Sequence, residues 1–357
     1  MTADAVGGVW TYAVELTRAL ASHGVEVAIA TMGVPPSAAQ RAEVAALPNA
    51  TLHESAFRLE WMADPWDDVA RAGDWLLSLE RRQRPDVVHL NGYAHAALPW
   101  RAPALVVAHS CVCSWWRAVH GAPAPAEWDR YRATVRRGLR AARLLVAPTR
   151  AMLHALAEHH GPLPAARVVP NARDSRRFVP DVEEPFVFAA GRLWDEAKNV
   201  GALARVAPRL PWPVYVAGDA AAPDGSAPTL AGVRVLGRLD ERAMASWLGR
   251  AAVFALPARY EPFGLSALEA ALAGCALVLG DIPSLREVWG DAAAYVPPDD
   301  ADALGATITT LATSAPRRER LAARARARAA TYAPARQAAA YLHCYHQLLR
   351  TPVSTCA

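Results

Sequence analysis

The 357-residue sequence is almost devoid of lysine: of its 38 basic residues, only Lys198 is not arginine. An ammonium is a compact point charge and a guanidinium a planar fork, so the two are not interchangeable and the one surviving lysine is informative. Cysteine is scarce as well. The five present are odd in number and scattered, which argues against a disulfide framework and fits a reducing cytosol. No apolar run reaches about 18 residues, and the N-terminus lacks the charged-then-apolar plan of a signal peptide, so a soluble or at most peripheral cytoplasmic protein is expected. The net charge of +4 is mild and no basic cluster is interleaved with aromatics, which excludes an extended nucleic-acid surface. Two phosphate-binding glycine motifs are also missing. Ala197 precedes Lys198 and Asn199 follows it, so there is no Walker A loop, and no Gly-x-Gly-x-x-Gly opens a helix as a dinucleotide oxidoreductase requires.

What is present is a 53% hydrophobic chain, long enough for two domains with separate cores. Short apolar runs alternate with helical patterns, the mark of parallel α/β sheets. Strands are expected at 25–31, 50–54, 86–91, 104–109, 144–148 and 167–170, and again at 186–190, 214–218, 233–236, 253–256, 276–280 and 294–296. Both halves read as doubly wound, Rossmann-like domains, 1–175 and 176–332. The polar stretch 171–185 is the expected linker between them, and a C-terminal segment, 333–357, follows.

The most informative stretch is Glu261-Pro-Phe-Gly-Leu-Ser-Ala-Leu-Glu269. An apolar run, 251–257, precedes it, and 265–273 is rich in Ala and Leu before Gly274, so the order is strand, loop, helix. The first N–H groups of such a helix have no internal partner and its dipole favours an anion, which suits a diphosphate. Glu261 lies in the loop before that helix start. Glu269 follows about one turn into the helix, roughly 6–7 Å along its axis at 1.5 Å per residue. A carboxylate accepting from a vicinal diol is a common way to hold a ribose or a sugar ring. Upstream, Gly191-Arg192-Leu193 and Lys198 follow another apolar run. Fixed cations there could stabilise the charge that develops on a departing diphosphate.

The Glu261-x7-Glu269 pattern with Phe263-Gly264 inside it, together with Gly191-Arg192-Leu193-x4-Lys198, resembles the family-4 (group 1) retaining glycosyltransferases of the GT-B fold. That resemblance implies two Rossmann-like domains facing across a cleft, with the last helix crossing back to the first. It also implies transfer of a hexose from a nucleotide diphosphate sugar to a hydroxyl acceptor, a saccharide or glycoconjugate, with retention and without a metal or other cofactor. Glu261 would stand beside the transferred sugar, Glu269 would accept from the ribose, and Arg192 and Lys198 would neutralise the diphosphate. Backbone at Leu236 and Gly237, and around Phe263, Gly264 and Leu265, would complete the donor site. Gly7-Gly8 opens a helix as the family's donor and acceptor loop does, and His109 resembles a histidine near the transferred sugar. Trp115 and Trp116 beside it, and Trp10, are candidates for stacking on an acceptor sugar. A nucleotide-sugar epimerase or synthase of the same plan, and a non-catalytic sugar-binding subunit, are the alternative readings.

The resemblance also brings an expectation of a missing part. Family members begin with a hydrophobic strand before the Gly-Gly loop, whereas only six residues precede Gly7 here, so the first strand should be missing or cut to a stub. The natural start is accordingly expected upstream. Cys111-x-Cys113 lies close in sequence to His109 and His120, but the spacing is not that of a known zinc ligand set, and these read as loop and core residues. Arg130, Arg132, Arg136, Arg137, Arg140 and Arg143 fall on one expected helix. They read as a solvated face, with contact to anionic membrane as the alternative.

Overall fold

Runs of Val, Leu, Ala and Phe form thirteen strands in the computed structural model, which describes residues 1–221, 225 and 228–350. Every paired strand is parallel. Strands of such sheets are covered on both faces, which is why they read as continuous apolar runs and not as alternating ones. The chain divides into two compact units, one made of Met1–Arg117, Ala122–Asn171 and the chain from Pro334 onward, the other of Ala118–Gly121 and Ala172–Ala333.

In the first unit the strands are β1 (Thr2–Asp4), β2 (Val27–Met32), β3 (Ala50–Glu54), β4 (Val88–Leu90), β5 (Ala104–Val107), β6 (Leu144–Ala147) and β7 (Ala166–Val168). They pair as β1-β2-β3 and as β4-β5-β6-β7. The first strand is therefore present, cut to three residues, and it pairs with β2 alone. Toward β4, Asn91 stands in for the ladder: its amide N–H donates to Thr2 Oγ1 at 2.8 Å and its carboxamide to the Thr2 carbonyl at 2.6 Å. Side-chain hydrogen bonds thus satisfy the main-chain groups that a shortened strand leaves open. The helix Gly8–Leu20 follows, and its buried face packs with the helix Pro334–Arg350 through Tyr12 and Tyr341. Pro334 sits at the start of that helix, where a missing N–H costs nothing.

In the second unit the strands are β8 (Glu184–Ala190), β9 (Val214–Ala217), β10 (Arg234–Val235), β11 (Ala251–Leu256), β12 (Ala276–Gly280) and β13 (Ala294–Val296). Their order is β10-β9-β8-β11-β12-β13, so the winding reverses between β8 and β11. All twelve expected strands exist, though 233–236 shrinks to two exposed residues at the sheet edge. The expected linker is not a solvated connection throughout. Arg173 within it is buried, its side chain only 4% exposed, and its guanidinium lies over the Phe178 ring. Ion pairs with Glu241 and Glu269 make that burial tolerable.

Three imidazoles of the first unit, His89, His95 and His109, have pKa values lowered by burial, that of His109 to about 3. Each stays neutral in the folded chain at pH values where the unfolded chain binds a proton. Their contribution is therefore intact above about pH 6.5 and is lost as the pH falls below it, by up to about 1.4 kcal/mol per pH unit for each group. Glu60, whose carboxyl is pushed upward by burial, opposes the trend as the pH falls toward the ordinary carboxylate range. Urea melts should accordingly show stability dropping from pH 6.5 to 5, before ordinary carboxylates titrate. His89→Gln should flatten the slope, and a flat profile in the unaltered protein would contradict this account.

Candidate functional site

Parallel α/β sheets hold ligands outside the carboxyl ends of their strands, at the point where the winding reverses. In the second unit that point lies between β8 and β11, and the two loops leaving those strands carry Arg192 with Lys198 and Glu261 respectively. The loops are fastened to each other. Asn199 donates through its carboxamide to the carbonyls of Pro257 at 2.9 Å and Pro298 at 2.6 Å, and accepts from Arg259 at 2.8 Å. The Arg259 amide N–H donates in turn to the Ala197 carbonyl at 2.8 Å. Asn199 has φ of 56°, a left-handed conformation that asparagine tolerates better than most residues. With the loops so joined, Lys198 Nζ lies 2.5 Å from Glu261 Oε2. Both side chains are mostly buried, at 16% and 13% exposure.

Glu261 does a second thing. Its Oε1 accepts from the amides of Gly264 at 3.0 Å and, at the long distance of 3.4 Å, Phe263. These precede the helix Leu265–Leu272, whose N-cap is Gly264 at φ of 91°, a conformation that strains any side chain. Glu261 thus supplies the negative charge that both the lysine and this helix start attract. Ser284 holds the Glu261 backbone, its hydroxyl donating to the Glu261 carbonyl at 2.6 Å. Further along the helix, Glu269 forms an ion pair with Arg173 Nε at 2.9 Å. Arg173 also reaches Glu241 at 2.9 Å, and Glu241 takes Arg177 at 2.7 Å. The two arginines hold the Glu241 carboxyl below its usual range despite burial, which acts the other way.

Arg192 is 41% exposed and paired with Asp195 at 2.7 Å. Asp195, itself buried, also accepts from the Ala197 amide at 3.0 Å, so one carboxylate fixes both the guanidinium and the turn that ends in Lys198. A close backbone approach underlies the loop after β8. A Cβ on Gly218, where φ is 139°, would stand 1.7 Å from the Gly191 carbonyl oxygen, so only glycine fits. The Gly218 amide donates to the Gly237 carbonyl at 2.8 Å and Leu236 N–H to Val216 at 2.9 Å, which aligns the loops after β8, β9 and β10.

Arg192, Lys198, Glu261, Gly264, Leu265 and Glu269 therefore belong to one unit, with Lys198 and Glu261 in direct contact. The Phe263 ring is buried against Tyr332, so its backbone is the part available to a ligand. In the first unit, Gly7 and Gly8 are exposed at the start of the helix Gly8–Leu20. Trp10 is instead a core residue, 5% exposed, with its indole N–H on Glu43 at 3.0 Å, and offers no face to an acceptor. Trp115 and Trp116 remain half-buried, packed edge to face. His109 contacts Asn91 Oδ1 at 2.9 Å and the Tyr12 ring edge-on, a neutral imidazole fixed in place. Of the arginines on the helix Asp129–Ala141, Arg130 lies over Trp66, while Arg132 and Arg136 donate to the carbonyls of Ala124 and His159. Sequence reasoning missed Arg173, Asn199 and Arg259, because no local pattern announces a contact made across loops, and it missed Asp195, whose contacts with Arg192 and Ala197 lie within one turn. No helix among the described residues is long and apolar enough to cross a membrane.

Residues 6–177 match the model of Glycosyltransferase Family 4, and residues 184–314 that of Glycosyl transferases group 1. D-inositol 3-phosphate glycosyltransferase of Xylanimonas cellulosilytica is 31% identical over 97% of this chain and 93% of its own length. The match to glycogen synthase of Mycobacterium tuberculosis is local, 39% identical over 84 residues, and spans 23% of this chain and 20% of the synthase. Among solved structures, sucrose-phosphate synthase from Thermosynechococcus elongatus superposes with a TM-score of 0.80 at 17% identity, covering 97% of this chain and 95% of that one. HepE from Anabaena, solved with UDP-glucose, gives 0.73 at 14% identity over 97% of this chain and all of its own. The chain belongs to the family-4, group 1 glycosyltransferases of the GT-B fold.

Proposed function

We propose that the protein transfers a hexose from a nucleotide diphosphate sugar to a hydroxyl of a saccharide or glycoconjugate, with retention of configuration. The observation that carries this reading is the contact of Lys198 with Glu261 at the β8/β11 reversal, beside the start of the helix Leu265–Leu272. A diphosphate entering there would draw Lys198 from Glu261, take Arg192 and the helix-start amides as further donors, and leave Glu261 free to face the sugar. Glu269, steadied by Arg173, is the acceptor for a ribose diol. The UDP-glucose held by the Anabaena relative is in keeping with a nucleotide sugar as donor.

No nucleophile with an activating base is assigned to the reaction. The acceptor proton passes to the leaving phosphate on the face where the glycosidic bond breaks, and fixed cations stabilise the charge that builds there. Those cations are arginine and lysine, and the site offers no Asp-x-Asp pair, so the transfer step is proposed to be independent of added Mg²⁺ or Mn²⁺. His109, neutral across the physiological range, is a hydrogen-bonding group for sugar or acceptor, and Trp115 and Trp116 are the acceptor candidates. Contact of the helix Asp129–Ala141 with anionic membrane is the alternative to a solvated face.

Three outcomes are expected. Lys198→Ala should weaken donor binding by about 10- to 100-fold in calorimetry with a panel of nucleotide sugars, as loss of a charge-assisted contact does. Glu261→Ala should cut turnover by about 10²–10³ while changing donor affinity far less. Unchanged kinetics in Lys198→Ala would remove that residue from the site. Gly218→Ala should lower both thermal stability and donor affinity, because its methyl group collides with the Gly191 carbonyl; retention of both would show the loop after β8 to be looser than described.

A further inference from the structure

We propose that Cys111, Cys113 and His160 form a zinc site, which ties the loop after β5 and the first turn of the helix Val112–His120 to the end of the helix Arg150–His160 in the first unit. One ligand atom from each residue lies within 4.8 Å of the other two. Cys111 Sγ is 3.2 Å from His160 Nε2. Neither thiol is in a disulfide, and the three residues are nearly sealed from solvent, 1%, 3% and 6% exposed. Donors on one tetrahedral zinc, with bonds of about 2.3 Å to sulfur and 2.0 Å to nitrogen, stand roughly 3.5–3.8 Å apart, so small side-chain rotations bring these three into range.

Burial decides between this and simpler roles. A cysteine–histidine pair that attacks a substrate must be reached by it, and these groups are not. His160 faces the cluster through Nε2, the nitrogen 3.2 Å from Cys111 Sγ, so Nε2 is the ligand atom, while Nδ1 points away from the thiols. Zinc displaces one proton from each thiol, and its two positive charges then cancel two thiolates, giving a neutral cluster that the interior accepts more readily than an isolated charge. A water in the fourth position completes the coordination and can hydrogen-bond nearby polar groups.

The two histidines nearest in sequence are not the partner. His109 is turned toward Asn91, and the third ligand comes from 49 residues beyond Cys111, at the last position of the helix Arg150–His160. Thiolates and imidazole together favour zinc over the oxygen-seeking Mg²⁺ and Ca²⁺. The tether would hold the segment from His109 to Trp116 in one conformation.

The full chain, purified under reducing conditions without chelator, should contain about one zinc per molecule by elemental mass spectrometry, as one such ligand set holds. Cys113→Ser and His160→Ala should each fall below a tenth of that. Metal-free unaltered protein should take up Co²⁺ with a thiolate-to-cobalt charge-transfer band, a measurement that stands even if the variants fail to fold. Absence of both zinc and the cobalt band in reduced unaltered protein would overturn the proposal. So would zinc content unchanged in both variants, or a Cys111–Cys113 disulfide in the freshly prepared chain.

Discussion

The fastening of one loop to another by Asn199 and Arg259 is the constraint on which the second unit's site depends. Lys198 and Glu261 are 63 residues apart, on loops leaving different strands. Asn199 bonded to the Pro257 carbonyl, and the Arg259 amide bonded to Ala197, convert two loops into one surface. Sheet order explains why those two loops meet at all, since β8 and β11 are neighbours where the winding turns back. Strand pairing therefore supplies the coarse placement, and a few side-chain to main-chain bonds supply the fine one. An arrangement held by such second-layer bonds is preorganised, so little ordering remains to be done when a ligand arrives.

Charge follows the same logic. Each acidic group of the site is already balanced: Glu261 by Lys198 and helix-start amides, Glu269 by Arg173, Asp195 by Arg192. Partly buried carboxylates and cations would be costly singly and are tolerable in pairs. The pairing also sets the terms of binding, because an incoming anion must win Lys198 from a carboxylate it already holds. On the proposed reading, that competition favours a doubly charged diphosphate over a weak anion.

Much of this was legible in the residues. Parallel strands buried on both faces declare themselves as apolar runs, so twelve of the thirteen were found, with the ends of most displaced by a residue or two. The helix after Gly264 was legible from its glycine and its Ala-Leu content. β1 was not found as a strand, because three residues cannot carry a periodicity, and its β4-facing side is satisfied by Asn91 instead of a ladder. Trp10 was misplaced for a related reason: a tryptophan at a helix start reads alike whether it faces a ligand or the core, and its bond to Glu43 is made 33 residues away. Arg173 was hidden in a polar stretch that composition assigns to solvent, and its burial is set by Glu241 and Glu269, both distant in sequence, together with Phe178 nearby. His160 was invisible for the same reason as the cluster it joins.

On the proposed reading, Lys198 is held in reserve by Glu261 and passes to the diphosphate. It is tested most directly by calorimetric titration of a nucleoside diphosphate, with no sugar attached, into Glu261→Gln and the unaltered protein. Removing the competing charge should tighten binding several-fold, about 1 kcal/mol, since the lysine no longer has to be drawn from a carboxylate. Binding that weakens or stays the same in Glu261→Gln would contradict the account.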